Sequence, residues 1–594
     1  MRACAWIVLV IGVAAGRAEP WTFPESEALA VPTPARLAEI PAVAETGGWV
    51  AVEQGARAAA FAAQSAGRSD PAEAWLLVAR WARLLGTPQR VAVDQWIDAM
   101  NAAKAAHPNM AREYHPPDAA MSALVSAELG AWLFGEREFS RAFFGLISPL
   151  DYPPAVLGVL DTLHRADPKR FERYASLALA IAVVYDVPPP PHWPHAQVGD
   201  GSLPRRLPAA LDAFNYWAAG DERGQGLHRL QRLSAGELKF LVDSPAPFAE
   251  LDWARQSVRF PLTRLAETYD AVKYRQDRVQ ANVVAWPGGR YSLPAILQQG
   301  GICVDQAYFA AQAGKARGVP TLVFRGVGLD GRHAWFGYLG AGEQWQMDAG
   351  RHAEQRYVAG LAFDPQTWRD ITDHEISFLA EGFRRLPAYR QSRLQQWFAE
   401  EHRRDGRLDE AVRAARRAVN YERRNLEAWE ILLGLHAATG DEPRAREGLL
   451  REAALAFQRY PDLNAAFLRR VAAALREQGK VSAAEQEERL IARKNQGART
   501  DLSVAQAAEA LTRAMATQPL AEQMRVYQLN LEQYGQGARM EFFDRVVKPF
   551  VEHLLRNGHR PEAEQAVARA RATLAVEPGR QLDRELAVLA AAVR

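Results

Sequence analysis

The sequence predicts a multidomain, mainly α-helical protein with one α+β segment near its middle. Three observations carry this. The chain has 594 residues, several times the ~150 of an ordinary domain. Apolar residues recur three and four positions apart over most of its length, the period of an amphipathic helix. Between Gly288 and Gly350 that period gives way to short glycine-bounded runs such as TLVFRGVG, HAWFGYL and QWQMDAG, which read as strands. The expected divisions are a leader over 1–18, a helical N-terminal region over 19–250, an α+β core over 251–393 and a helical array over 394–594.

The leader opens the chain. Met1 and Arg2 precede an apolar run, Ala3 to Ala15, and small residues then stand at the −3 and −1 positions of a cut after Ala18. This is the pattern of a secretory signal, and the run is too short for a comfortable membrane span. An exported protein, periplasmic or secreted, is expected. No later stretch reaches ~18 uninterrupted apolar residues, so no integral membrane segment is expected once the signal is removed. No cysteine follows the cut directly, so no lipid anchor is expected. The chain's two cysteines are Cys4 and Cys303. Cys4 leaves with the signal, and the mature chain keeps one thiol and can form no internal disulfide.

Composition is that of a globular protein, 48% hydrophobic and 24% charged. A net charge of +2 implies no field for nucleic acid or a membrane surface.

From Pro34 to Tyr185 the pattern is helical, with Leu124, Leu129, Trp132 and Leu133 along one side of the stretch from Ala119 to Phe144. Pro188 to Pro191 cannot lie in a helix and read as a stiff polyproline connector or a loop. His192 and His195 beside them have a His-x-x-His spacing, but without helical geometry or a further ligand they read as loop histidines, and no metal is expected. Helix resumes from Leu207 to about Tyr274, broken near Pro245 and Pro247.

In the core, Leu293 to Gln299 reads as a short helix and Val304 to Arg317 as a longer one, with the Gly-Gly-Ile-Cys break between them. Gly318 suits a C′ position, and Pro320 stops the helix. Three antiparallel strands follow, Thr321 to Gly326, His333 to Leu339, and one ending at Asp348.

Cys303 begins the longer helix, where unpaired N–H groups and the positive dipole end favour a thiolate. Gly300 and Gly301 permit a tight backbone approach to a substrate. His333, 30 residues later, is the candidate base. Asp348, 15 residues further, is the candidate orienting acid. Adjacent antiparallel strands joined by a short turn can set an imidazole beside a carboxylate, which would fix its tautomer and stabilise the imidazolium. His352 is a rival base. Gln298 and Gln299 are the candidate side-chain donors to an oxyanion, with the N–H of Cys303 as first donor; both could equally be helix surface. Asp305 reads as a dipole partner in the first helical turn, and Asp330 as a turn former. Trp335 and Trp345 read mainly as sheet packing, with Trp335 kept as a possible substrate contact.

The runs GGICVDQAYFAAQAGKARGVPT, GRHAWFGYL and EQWQMDAG resemble the core of the transglutaminase-like superfamily. The matching motifs are Gly301-Ile302-Cys303, Gly318-Val319-Pro320, His333-Ala334-Trp335 and Trp345-Gln346-Met347-Asp348. Their order and spacing both fit, over less than a quarter of the chain. The resemblance implies a papain-like α+β core with the triad Cys303, His333 and Asp348. The family includes protein crosslinkers, peptidases and deglycosylases that cleave amides, so it leaves the substrate open.

The last region carries an internal repeat. Gly406/Ala411, Gly440/Ala445, Gly479/Ala484 and Gly558/Ala563 share one spacing. The first two glycines are 34 apart, the next gap is 39, and the last, 79, leaves room for one degenerate unit. This is similar to a tetratricopeptide array, an α-solenoid whose small residues let paired helices pack closely and whose concave face binds partners.

No phosphate-cradling loop or dinucleotide fingerprint is present, so no cofactor is expected. The expectation is an exported thiol enzyme acting on peptide or protein amides through a thioester, with hydrolysis placed slightly ahead of amine transfer by analogy alone. The alternative is a non-catalytic binding scaffold working through its helical repeats, on which a protein partner could sit.

Overall fold

The computed structural model describes residues 21–103, 116–199, 201–352, 355–440 and 443–594. The leader and Cys4 lie outside the described residues. The chain is mainly helical with one small antiparallel sheet. No helix among the described residues is long and apolar enough to cross a membrane.

At the N-terminal end, α1 (Ile40–Ser65) and α2 (Ser69–Gly86) lie against each other. Alanine carries much of the contact: Ala56, Ala59, Ala60 and Ala63 of α1 and Ala72, Ala79 and Ala82 of α2 are all buried. Side chains this small let two helix axes approach closely.

The sequence reading of the core holds closely. Leu293–Gln299 is α3, and Cys303–Ala316 is α4. Gly318 takes φ +68° and closes α4 by bonding back to the Lys315 carbonyl, while Val319 N–H reaches Gly314. The strands are β1 (Thr321–Val327), β2 (Arg332–Leu339) and β3 (Trp345–Ala349), the expected antiparallel meander. Two strands of three residues each extend the sheet on its other side, β4 (Leu361–Phe363) and β5 (Asp370–Thr372), giving the order β3-β2-β1-β4-β5.

α4 is the central helix, and Val304 to Ala316 are all buried. Its polar residues are therefore paired. Gln306 donates to the Val272 carbonyl, Ser244 donates to Gln312, and Lys315 is held by Asp243. Strand alternation sorts β2 into two faces. Ala334, Phe336 and Tyr338 meet Ala307, Ala310 and Ala311 of α4. Trp335 turns the other way, toward Phe324, Leu322 and Ile371.

The last third is a run of antiparallel helical hairpins. These are α5 (Pro387–Arg404) with α6 (Leu408–Tyr421), α7 (Leu426–Ala438) with α8 (Pro443–Ala456), α9 (Pro461–Glu477) with α10 (Val481–Asn495), and α11 (Thr500–Thr517) with α12 (Leu520–Tyr534). Helices α13 (Lys548–Arg556), α14 (Arg560–Thr573) and α15 (Gln581–Val593) complete it. Gly406, Gly440, Gly479 and Gly558 each sit in a turn within a pair, with φ between +72° and +78°. The α11–α12 pair fills the long gap between Gly479 and Gly558 and turns at Gln518-Pro519 without glycine.

This array touches the rest of the chain at both ends. At its start, Glu401 of α5 is fully buried and paired with Arg83 of α2, and Phe398 packs on Phe61. At its end, the last helices meet the β1–β2 turn.

Candidate active site

Gly300 and Gly301 are both required by packing. Gly300 has φ +74°, and a Cβ there would lie 2.5 Å from the Lys273 carbonyl. A Cβ on Gly301 would lie 2.3 Å from the Cβ of Asp305. The chain thus turns sharply into α4 and delivers Cys303 as its first residue.

Asp305 holds that helix start. Its carboxylate is 1% exposed and accepts from the Ile302 N–H at 2.9 Å, from Arg278 at 2.9 Å and from the Tyr291 hydroxyl at 3.0 Å. Tyr291 in turn meets His195 Nε2 at 3.0 Å. His195 is thus a loop histidine, as expected, but a buried one in a network behind the thiol, and burial pushes its pKa down to about 3. Arg205 fastens the same proline-rich segment by donating to the carbonyls of Trp193, His195 and Val198. His192 lies apart, against Phe363. Among the described residues no group of three or more His, Cys, Asp or Glu could hold a metal ion.

Cys303 is half-buried. Burial pushes its thiol above the ordinary cysteine value, and the negative charge of Asp305 adds to this; the N–H groups of Ala334, Val304 and Cys303 itself pull the other way. The helix terminus therefore contributes as expected, yet desolvation outweighs it. The Ala334 N–H at the sulfur puts the thiol one residue from His333.

Tyr269 joins these parts. Its hydroxyl donates to the Ala334 carbonyl at 2.9 Å and meets the Cys303 carbonyl at 3.4 Å. Its ring lies 6.3 Å from that of His333 and against Gly350, where a Cβ would come within 2.6 Å of it. Gly350, at φ +86°, turns its carbonyl to His333 Nε2 at 2.7 Å. Tyr274 stands near the thiol as well, 43% exposed. Neither tyrosine belongs to a motif legible in the sequence, since both lie in irregular chain well before Cys303.

The structure brings Cys303 and His333 to one corner but does not bring Asp348 to the imidazole. The Asp348 side chain is 74% exposed and pairs with Arg351 at 2.7 Å. His333 Nε2 is engaged by the Gly350 carbonyl instead of by Asp348. Gln298 and Gln299 are exposed, and only the backbone carbonyl of Gln299 is engaged, by Arg275 at 3.1 Å. Trp335 offers substrate no surface: it is 0% exposed, and its indole N–H donates to the Met347 carbonyl at 2.8 Å. His352 packs on His333 with ring centroids 4.6 Å apart. Trp345 lies edge-on to Phe240, as sheet packing requires.

Compared with known proteins, the chain matches no family model, and no curated protein is significantly similar to it.

Proposed function

We propose that this chain is an exported thiol enzyme of the transglutaminase-like type, acting on peptide or protein amides. One observation supports this above the others: the sulfur of Cys303 lies at the N–H next to His333, while His333 Nε2 faces a carbonyl oxygen. A carbonyl only accepts, so Nε2 donates in this contact, and Nδ1 is the nitrogen that would take the thiol proton. That is the tautomer a general base requires.

In this reading Cys303 Sγ attacks the amide carbonyl carbon as His333 takes the thiol proton. The C–N bond then breaks, His333 returns the proton to the leaving amine, and a thioester remains. Water or a second amine attacks the thioester, giving hydrolysis or transfer. The Cys303 N–H is the first donor to the developing oxyanion. Because burial disfavours a preformed thiolate, proton removal has to accompany attack. Asp348 could take the orienting place only by leaving Arg351. A screen of peptide amides, with and without added amines, for a thioester on Cys303 tests the reaction class.

A non-catalytic scaffold is the second reading. The outward Asp348 and the raised thiol pKa favour it, and the helical hairpins, similar to tetratricopeptide repeats, would then carry the binding.

A further inference from the structure

The turn between β1 and β2 ends at Gly331, two residues before His333, and the last helices of the array grip it. Six polar contacts make the grip. The Met540 N–H donates to the Leu329 carbonyl at 3.2 Å, and the Leu582 N–H to the Asp330 carbonyl at 3.2 Å. Arg539 donates to the Asp330 carboxylate at 3.1 Å. The Gln581 side-chain oxygen accepts from the Arg332 N–H at 3.0 Å. The Arg332 guanidinium bridges Asp544 and Glu585. Val327, the last residue of β1, packs into the apolar core of these helices.

Nothing in the sheet itself requires this. Two-residue or four-residue hairpin turns are ordinarily exposed, and Asp330 at a turn tip would ordinarily be solvated. Here Asp330 is 6% exposed and paired with a residue some two hundred positions away. The grip falls on Leu329 and Asp330 of the turn and on Arg332, the first residue of the strand that carries His333. An exposed ion pair contributes little by itself, but backbone bonds, a buried carboxylate and a two-acid bridge on one short turn leave it one position.

Resting on the Cys303–His333 reading, we propose that Asp330 and Arg332 are positioning residues for His333, and that the C-terminal helices through Arg539, Asp544, Gln581 and Glu585 are a working part of the active site. The array would then be an external brace for the base as well as a binding surface.

The test uses the full mature chain. Alkylation of Cys303 by iodoacetamide is followed from pH 5 to 10 in the wild type, His333→Ala, Asp544→Asn/Glu585→Gln, and Arg332→Lys. Hydrogen exchange over Leu329 to Arg332 reports whether the turn has been released. Release is expected to slow alkylation at neutral pH by about ten- to a hundredfold and to move the profile toward that of His333→Ala, with Arg332→Lys, which keeps the charge but not the two-acid fork, giving a smaller shift of the same kind. If the double variant does not fold, Gln581→Ala removes one bond and is expected to give a smaller shift of the same kind. A turn that exchanges fast while the profile stays wild type overturns the proposal alone. Identical profiles for the wild type and His333→Ala overturn the underlying base assignment.

Discussion

His333 Nε2 lies 2.7 Å from the carbonyl oxygen of Gly350, while the carboxylate of Asp348, two residues earlier on the chain, pairs with Arg351. A backbone carbonyl can fix the imidazole tautomer as a carboxylate does. It brings no full negative charge to stabilise the imidazolium.

Asp348→Asn is therefore expected to slow Cys303 alkylation no more than a few-fold, against the ~10⁴-fold cost of disabling a carboxylate that does orient a catalytic histidine. Alkylation rates of the variant and the wild type at pH 7 check this. A loss as large as that of His333→Ala would mean that the carboxylate swings in from Arg351.

Gly350→Ala is expected to destabilise the fold by about 1–3 kcal/mol, from strain at φ +86° and collision with the Tyr269 ring. It should also slow alkylation, because the carbonyl that holds His333 must move. Urea unfolding and the alkylation rate measure the two effects separately. Tyr269→Phe keeps the ring, and should cost only the hydroxyl's bonds, about 1 kcal/mol.

Asp305→Asn is expected to cost about 3–5 kcal/mol, since it leaves the buried Arg278 guanidinium without its counter-charge. The same change should lower the pKa of Cys303, because the Asp305 charge disfavours the thiolate. Thermal unfolding and the pH of half-maximal alkylation report these opposite-looking outcomes of one substitution.

His195 gives a pH signature. Burial and the nearby Arg205 charge hold its pKa at about 3, against 6.5 unperturbed, amid Gln197, Tyr291 and Tyr308. Between those values the unfolded chain binds a proton that the fold does not. The residue therefore contributes stability above pH 6.5 that is lost as pH falls toward 3, by at most about 1.4 kcal/mol per pH unit. Buried Asp151 and Asp243, raised to about 7 and about 6, act in the opposite sense. The informative quantity is hence the difference between the wild type and His195→Gln: the variant is expected to lose less stability from pH 6.5 to 4.5 in urea titrations.

Much of the core was legible because its signals are local. Gly300-Gly301 before Cys303, Gly318 after the helix, and the glycine-bounded runs of β1 to β3 each act within a few residues. The hairpin glycines at Gly406, Gly440, Gly479 and Gly558 were legible as a period. β4 and β5 were not, because three residues are too few for alternation to register. The proline-rich stretch at Pro188 to Pro191 is legible as a connector or loop, but the burial of Trp193 and His195 beside it is not. That burial depends on Tyr291 and Arg205, and no local pattern announces such partners. Asp330 and Arg332 show the same limit: by sequence both fall before the strand, with Asp330 a turn former, yet they are held by residues of the last helices. The candidate site was half legible. Cys303 and His333 were found by spacing, Asp348 was placed by spacing but faces outward, and Tyr269 and the Gly350 carbonyl carry no sequence signature.

The central claim is that His333 activates Cys303. The most direct test is the pH dependence of Cys303 alkylation in the wild-type chain from Glu19 onward and in its His333→Ala variant, where Cys303 is the single thiol and makes the readout unambiguous. The wild type is expected to react near neutral pH about a hundredfold faster than the variant, and the variant only as the buried thiol itself ionises, above the ordinary value of about 8.5. Superimposable profiles would contradict the claim and leave Cys303 a buried structural thiol.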